Sequence, residues 1–418
     1  MIVGGSVRVP GDKSITHRAL LLSALARGTS RIGGGLTSLD ARSTARVLRR
    51  LGAEVSPLRQ GATVTVRGGR LAPPELPLDC GNSGTTCRLL LGLLAGQRFS
   101  ATLTGDASLR RRPMRRVTHP LAEMGARFDD GGHDGLPLTV RGGRLQPLRW
   151  ELPVASAQLK SALLLAGLTG SVPVELTEPA PSRDHTERML RALGYTLEQR
   201  EGKIVFHPDG KPTPLALQVP GDFSSAMFLI GAAILAERGS LRIEQVGVNP
   251  TRTAALEVLR RMGAAVEIEN RDEPFGEPVA TLVTGPAELR GTTVEGSEVP
   301  GLIDEIPLLA VLASRAERTT TFRDVGELRV KESDRLALLA RNLTAVGAQA
   351  VIDGDNLLVT GGDAPPRGRV TTGGDHRIAM AFTVLGTIPG ARITIDDPAC
   401  AAVSYPGFVD SLASIRVA

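Results

Sequence analysis

The phrase Val-Pro-Gly-Asp occurs twice, at residues 9–12 and 219–222, and each copy opens an apolar helical stretch. The first reads VPGDKSITHRALLLSALARG and the second VPGDFSSAMFLIGAAILAERG. Pro-Gly makes a turn, Asp12 or Ser14 caps the helix start, and Gly28 ends the first copy. The body that follows is apolar nearly all round, which predicts a buried helix rather than a surface one. The second copy keeps turn, cap and helix but has Phe223 in place of Lys13. The first copy therefore reads as chemical and its echo as architectural.

Both copies belong to a larger repeat of about 70 residues per unit. Each unit has a polar helix start, a small-residue apolar helix, a Gly-rich stop, a strand, an amphipathic helix ending in a sequence like LGA, and a strand pair. The apolar helices begin near Lys13, Asn82, Ala157, Ser224, Asp304 and His376. Six such βαβαββ units fill the chain and leave no linker. The expected fold is mixed α/β (α+β), with two domains of three units each, buried central helices and an active site in the cleft between domains. One domain is expected to span 1–12 plus 221–418, and the other, inserted, 13–220.

Hydrophobic content of 42% and charged content of 22% suit a soluble globular protein. No basic segment leads into a long apolar run, and no run approaches a bilayer span, so neither a leader nor a membrane anchor is expected. Cys80, Cys87 and Cys400 are odd in number and lack CxxC spacing, which predicts free thiols in a cytoplasmic protein. A net charge of +5 suits an anionic small ligand, and 3% aromatic residues argue against stacking on nucleic acid. Only five of the 49 basic residues are lysines: Lys13, Lys160, Lys203, Lys211 and Lys331. Where arginine is the rule, a retained lysine marks a place for a compact charge or a removable proton. Lys203 and Lys211 flank a polar turn and read as incidental.

P-loop, HExxH, GxSxG and Rossmann spacings are all absent. What remains is a polar cluster at the helix starts: Lys13, Ser14 and Arg18; Asn82, Gly84, Thr85 and Arg88; Ser156, Gln158 and Lys160; Asp304 and Glu305; Asp375, His376 and Arg377. The amphipathic helices add Arg112, Ser182, Arg183, Lys331, Glu332 and Arg335. Singly these are ordinary caps or surface pairs; Asp304 reads equally as a cap, and Glu332 with Arg335 as a helix-surface pair. Recurrence at one structural position favours a shared polyanion site built from helix N-termini and cations. In it, Asp304 and Glu332 would be carboxylates among cations and Lys13 a mobile acid, a general acid–base set.

PGDKSITHRALLL, GNSGTTCR, the Arg112-Pro113 step, SAQLKSALLLA, VKESDR and GGDHRIAMA, in that order, resemble the 5-enolpyruvylshikimate-3-phosphate synthase family over essentially the full chain. The resemblance implies transfer of the enolpyruvyl group of phosphoenolpyruvate to the 5-hydroxyl of shikimate 3-phosphate. It also implies no metal, no organic cofactor and a cytoplasmic monomer. By position, it assigns Lys13, Ser14, Arg18, Ser156, Gln158, Ser182, Arg183, Asp304 and Lys331 to shikimate 3-phosphate. It assigns Lys13, Asn82, Gly84, Thr85, Arg112, Gln158, Arg335 and Arg377 to phosphoenolpyruvate. Asp304, Glu332 and Lys13 would handle protons.

Three positions depart from the family pattern. Val403 stands where many members have lysine, Ala157 where others have a second serine, and Glu327 where some have asparagine. Gly84, at a position where a methyl group narrows the pocket in relatives, implies sensitivity to glyphosate. Two rival readings are a UDP-N-acetylglucosamine enolpyruvyl transferase, whose usual loop cysteine is missing from TGDASLRRRPM, and a nucleic-acid-binding repeat protein.

Overall fold

The computed structural model describes residues 1–417. The chain divides into two compact units. An inserted unit comprises Gly11–Val219 with Glu273–Glu277, and a flanking unit comprises Met1–Pro10, Pro220–Asp272 and the chain from Pro278 on. The sequence assigned residues 273–277 to the flanking unit, but their contacts lie in the inserted one. Arg188 Nη1 donates to the Gly276 carbonyl at 2.8 Å and pairs with Glu273 at 3.3 Å. His185 Nδ1 lies 2.8 Å from Glu277 Oε1, and Phe275 packs on the inserted unit's core. None of these partners is a sequence neighbour, so no local pattern announces them.

The sixfold repeat is legible in the sheets. Among the described residues there are five four-stranded sheets of one pattern, a parallel pair followed by two antiparallel strands. Leu148–Glu151, for example, pairs in parallel with Val174–Thr177, which takes Lys203–His207 and then Thr196–Arg200 antiparallel. The sixth unit keeps only the parallel pair, Arg367–Val370 with Arg392–Ile395. In most units the central helix joins the two parallel strands. At each VPGD the strand and helix separate. Ser6–Arg8 pairs with Leu241–Gly247 in the flanking unit, and Ala216–Gln218 pairs with Gly28–Gly33 in the inserted unit. The turn needs glycine for room: a Cβ on Gly11 would lie 1.9 Å from the Gly34 carbonyl oxygen, and one on Gly221 2.8 Å from Val9 Cγ2.

The central helices are Lys13–Leu25, Gly84–Ala95 and Ala157–Gly170 in the inserted unit, and Phe223–Ile234, Ile306–Ala313 and His376–Leu385 in the flanking unit. Each is buried over most of its length, as the all-round apolar sequence requires. Asp12 caps the first by accepting from the Ile15 amide at 2.8 Å. Asp222 does the same for Ser225 at 2.9 Å, so the echo keeps the cap. The starts expected at Asn82 and Asp304 fall at Gly84 and Ile306 instead, with Ser83 rather than Asn82 as the cap. Packing is tightest between the second and third helices, where a Cβ on Gly92 would meet the Ala162 carbonyl oxygen at 1.9 Å. No described helix is long and apolar enough to cross a membrane.

Candidate active site

In the inserted unit the polar side chains lie at the N-terminal ends of the three buried helices. Lys13 Nζ pairs with Asp40 at 3.3 Å, a carboxylate from the Leu39–Arg50 helix. Arg18 is buried; it donates through Nη1 to the Ser14 carbonyl at 3.0 Å, through Nε to Thr186 at 2.7 Å and through Nη2 to Ser161 at 2.6 Å. Burial lowers its pKa to about 10 against the opposing pull of Glu187 and other carboxylates, and the Arg183 charge adds to the lowering. At neutral pH it stays charged. Ser182 donates its hydroxyl to Glu178 at 2.7 Å, and Ser156 caps the third central helix.

A second group connects Asn82, Thr85, Arg112 and Gln158. Arg112 Nη2 donates to Asn82 Oδ1 at 2.7 Å, and Asn82 Nδ2 donates to Asp106 at 2.6 Å. Gln158 donates to Thr85 Oγ1 at 3.0 Å and accepts from Arg88 Nη1 at 2.7 Å. Gly84 lies under Arg112, where a Cβ would sit 3.1 Å from Nη1. Beneath both groups runs a buried chain of contacts from His17 Nδ1 to Thr44 at 2.7 Å, Thr44 to Thr86 at 2.6 Å, and Thr86 to Ser83 at 2.7 Å. With Thr86 donating to Ser83, Thr44 donates to Thr86 and His17 donates from Nδ1. Burial, with the charges of Lys13 and Arg18, lowers the His17 pKa to about 3, so the ring is neutral and structural.

In the flanking unit the site residues gather around one guanidinium. Arg335 starts the Arg335–Ala345 helix with its side chain 1% exposed. It donates to Asp375 at 2.8 Å, to Glu332 at 2.5 Å and to Asp304 at 3.4 Å. Burial disfavours its charge, yet these carboxylates together push its pKa up. Arg377 holds Asp304 twice, through the backbone carbonyl at 2.9 Å and the carboxylate at 3.5 Å. Asp375 also accepts from Ser333 at 2.8 Å and from the Arg377 amide at 2.9 Å. Burial opposes its charge, but Arg335 outweighs that and holds its pKa below the usual carboxylate range. Lys331 lies 3.6 Å from Glu327 with its side chain 26% exposed. Desolvation pushes its pKa down against Asp304, Glu327 and Glu332. The alternatives open for two residues close here: Asp304 does not cap a helix, and Glu332 with Arg335 is not a surface pair.

The sequence profile described as EPSP synthase (3-phosphoshikimate 1-carboxyvinyltransferase) matches residues 2–412. The chain belongs to the EPSP synthase family. The 3-phosphoshikimate 1-carboxyvinyltransferase of Alkalilimnicola ehrlichii is 49% identical over 99% of this chain and 94% of its own length. That of Thermus thermophilus is 49% identical over 98% of this chain and 95% of its own. A solved EPSP synthase from Acinetobacter baumannii superposes with a TM-score of 0.87 at 39% identity, covering 99% of this chain and 96% of that one. An enolpyruvyl transferase from Streptomyces tendae shares the fold, with a TM-score of 0.81 at 22% identity over 99% and 95% of the two chains. The UDP-N-acetylglucosamine and nucleic-acid readings are not favoured by these relatives.

For this EPSP synthase family member, four residues hold the others in place: Arg88 and Asp375, which the sequence reading names, and Asp40 and Glu178, which it misses. Arg88 and Asp375 were visible inside the quoted motifs, but as companions rather than supports. Asp40 and Glu178 carry no local signal, because their contacts join different parts of the repeat. Lys160 is fully buried. Ala157 is the first residue of the third central helix and Val403 ends a short 3-10 turn, Pro398–Val403. Among the described residues no cluster of His, Cys, Asp and Glu suits a metal ion.

Proposed function

We infer that this EPSP synthase family member transfers the enolpyruvyl group of phosphoenolpyruvate to the 5-hydroxyl of shikimate 3-phosphate in the shikimate pathway. The observation that carries the reading is the pairing of Arg335 and Arg377 with Asp304 and Glu332. These arginines are the groups a phosphate and a carboxylate would claim. Once they turn to phosphoenolpyruvate, Asp304 and Glu332 lose counter-charge and become stronger bases. Asp304 then takes the 5-hydroxyl proton as that oxygen bonds to C2 of phosphoenolpyruvate. Lys13 with Glu332 delivers a proton to the methylene carbon, giving a tetrahedral intermediate. Lys13 with Glu332 takes a proton back from the new methyl group as the bond from C2 to the phosphate oxygen breaks, which releases phosphate and restores the double bond.

Ser14, Arg18, Ser156, Gln158, Ser182, Arg183 and Lys331 hold shikimate 3-phosphate in this scheme. Asn82, Gly84, Thr85, Arg112 and Gln158 join Arg335 and Arg377 on phosphoenolpyruvate. Every proton moves on a side chain, with no metal or organic cofactor. We place the protein in the cytoplasm as a monomer without nucleic-acid partners; its three cysteines are free. The test is phosphate release by purified protein with each substrate omitted in turn. Release that needs both substrates supports the scheme; release that follows UDP-N-acetylglucosamine in place of shikimate 3-phosphate rejects it.

A further inference from the structure

The most deeply buried charges in the inserted unit lie outside that scheme. Lys160, on the third central helix, has a side chain 0% exposed, as has that of Glu187; Glu178 is at 1%. Lys160 Nζ lies 2.7 Å from Glu187, and 3.2 and 3.1 Å from the two oxygens of Glu178. A buried ion cluster is a poor source of net stability, since apolar residues of similar volume often do as well. Its retention calls for another reason, and Ser182 supplies one. Glu178 Oε2 accepts the Ser182 hydroxyl at 2.7 Å and its amide at 3.3 Å, while Lys160 Nζ donates to the Ser182 carbonyl at 3.2 Å. All three polar groups of Ser182 are thus held by the cluster. Arg183 follows directly in the chain, and its charge reaches Arg18.

We propose that Glu178, clamped by Lys160, is the positioning residue for the phosphate end of the shikimate 3-phosphate subsite, fixing Ser182 and through it Arg183. The proposal rests on the functional reading above. A serine held at hydroxyl, amide and carbonyl presents one orientation before the ligand arrives, and that removes an ordering cost from binding. Glu187 shares the lysine but makes no hydrogen bond to Ser182 and reaches Arg18 only through its charge, which makes it the control.

The experiment is calorimetric titration of shikimate 3-phosphate into the parent protein, Glu178→Gln, Glu187→Gln, Ser182→Ala and the Glu178→Gln/Ser182→Ala double variant, with KM for both substrates. Each single glutamine variant leaves a neutral buried Lys–Glu pair, so both are expected to fold; thermal melting checks this. Glu178→Gln should weaken shikimate 3-phosphate binding about tenfold, the scale of a lost hydrogen bond to a charged group. KM for phosphoenolpyruvate and kcat should stay within about twofold, and Glu187→Gln should bind like the parent. The double variant should bind about as weakly as the weaker single one, since both changes act on one element. Parent-like binding by Glu178→Gln, or equal losses for both glutamine variants and both substrates, overturns the proposal while leaving the functional reading intact. A parent protein that neither binds nor turns over shikimate 3-phosphate overturns both.

Discussion

Asp304 touches both Arg335 and Arg377, so removing its carboxylate takes away the proposed base and one anionic partner of each of two cations. Asp304→Ala and Glu332→Ala should lower kcat at least about 100-fold, the usual scale for a lost general acid or base. Shikimate 3-phosphate affinity should change far less, and comparable losses in affinity and kcat would point to misfolding or a binding role. Gly84→Ala would set a methyl group 3.1 Å from Arg112 Nη1 and displace the guanidinium by tenths of an ångström. The expected result is a rise in the glyphosate inhibition constant with a smaller rise in the phosphoenolpyruvate KM; unchanged inhibition contradicts it. His17 adds a pH dependence to folding. Its pKa falls from 6.5 to about 3 on burial, so between those values the unfolded chain binds a proton that the folded one does not. Stability from this group is intact above 6.5 and is lost as pH falls through the window. In His17→Asn, which keeps a donor toward Thr44, the stability advantage of the parent should shrink steadily from pH 7 to pH 4. A constant difference in urea melts would rule that out. At this scale the sequence showed which residue types gather but not what they touch. Lys13, Arg335 and Arg377 were readable as cations at helix starts. Their carboxylate partners Asp40 and Asp375 were not, because partners separated by 27 and 40 residues leave no spacing to read.

Among elements, the buried helices were legible and the joins between them were not. An apolar body with a short polar cap can only be satisfied inside a protein, so the six central helices follow from composition within their own spans. The doubled VPGD is the signal that sets residues 1–12 with 221–418 in the sequence, but the partner strand and register, such as Ser6–Arg8 on Leu241–Gly247 more than 180 residues away, are carried by no local pattern. Close helix contact offers a direct test. Gly92→Ala would drive a Cβ into the Ala162 carbonyl and should cost about 2 kcal/mol or more, in the range of severe overpacking. Gly143→Ala meets no atom within 4 Å and should stay within about 0.5 kcal/mol. Equal denaturation midpoints for the two variants would show that the helices separate easily.

At the scale of the whole molecule, the two cores share no residue. Most of the side chains proposed for shikimate 3-phosphate, from Lys13 to Arg183, belong to the inserted unit, and both carboxylates proposed as acid–base groups belong to the flanking one. Shikimate 3-phosphate alone should therefore slow amide exchange mainly in residues 13–18 and 156–186. Adding a phosphoenolpyruvate analogue should extend protection to residues 331–335 and 375–377. Protection that begins in the flanking unit would reverse the proposed division of labour.

The strand before each VPGD has a further consequence. In the inserted unit the closing strand, Ala216–Gln218, comes last in the chain order; in the flanking unit its counterpart, Ser6–Arg8, comes first. Near the two chain ends, Val3 bridges Arg416, and the Gly4 amide donates to the Ile415 carbonyl at 3.0 Å. Reading from Gly11 to Val219 and then from Pro220 through to Pro10 gives two halves with matching orders of elements, except that, among the described residues, the sixth unit lacks the antiparallel strand pair of the third. Each VPGD is thus a crossing point of the chain, where the strand before it belongs to one unit and the helix after it opens the other.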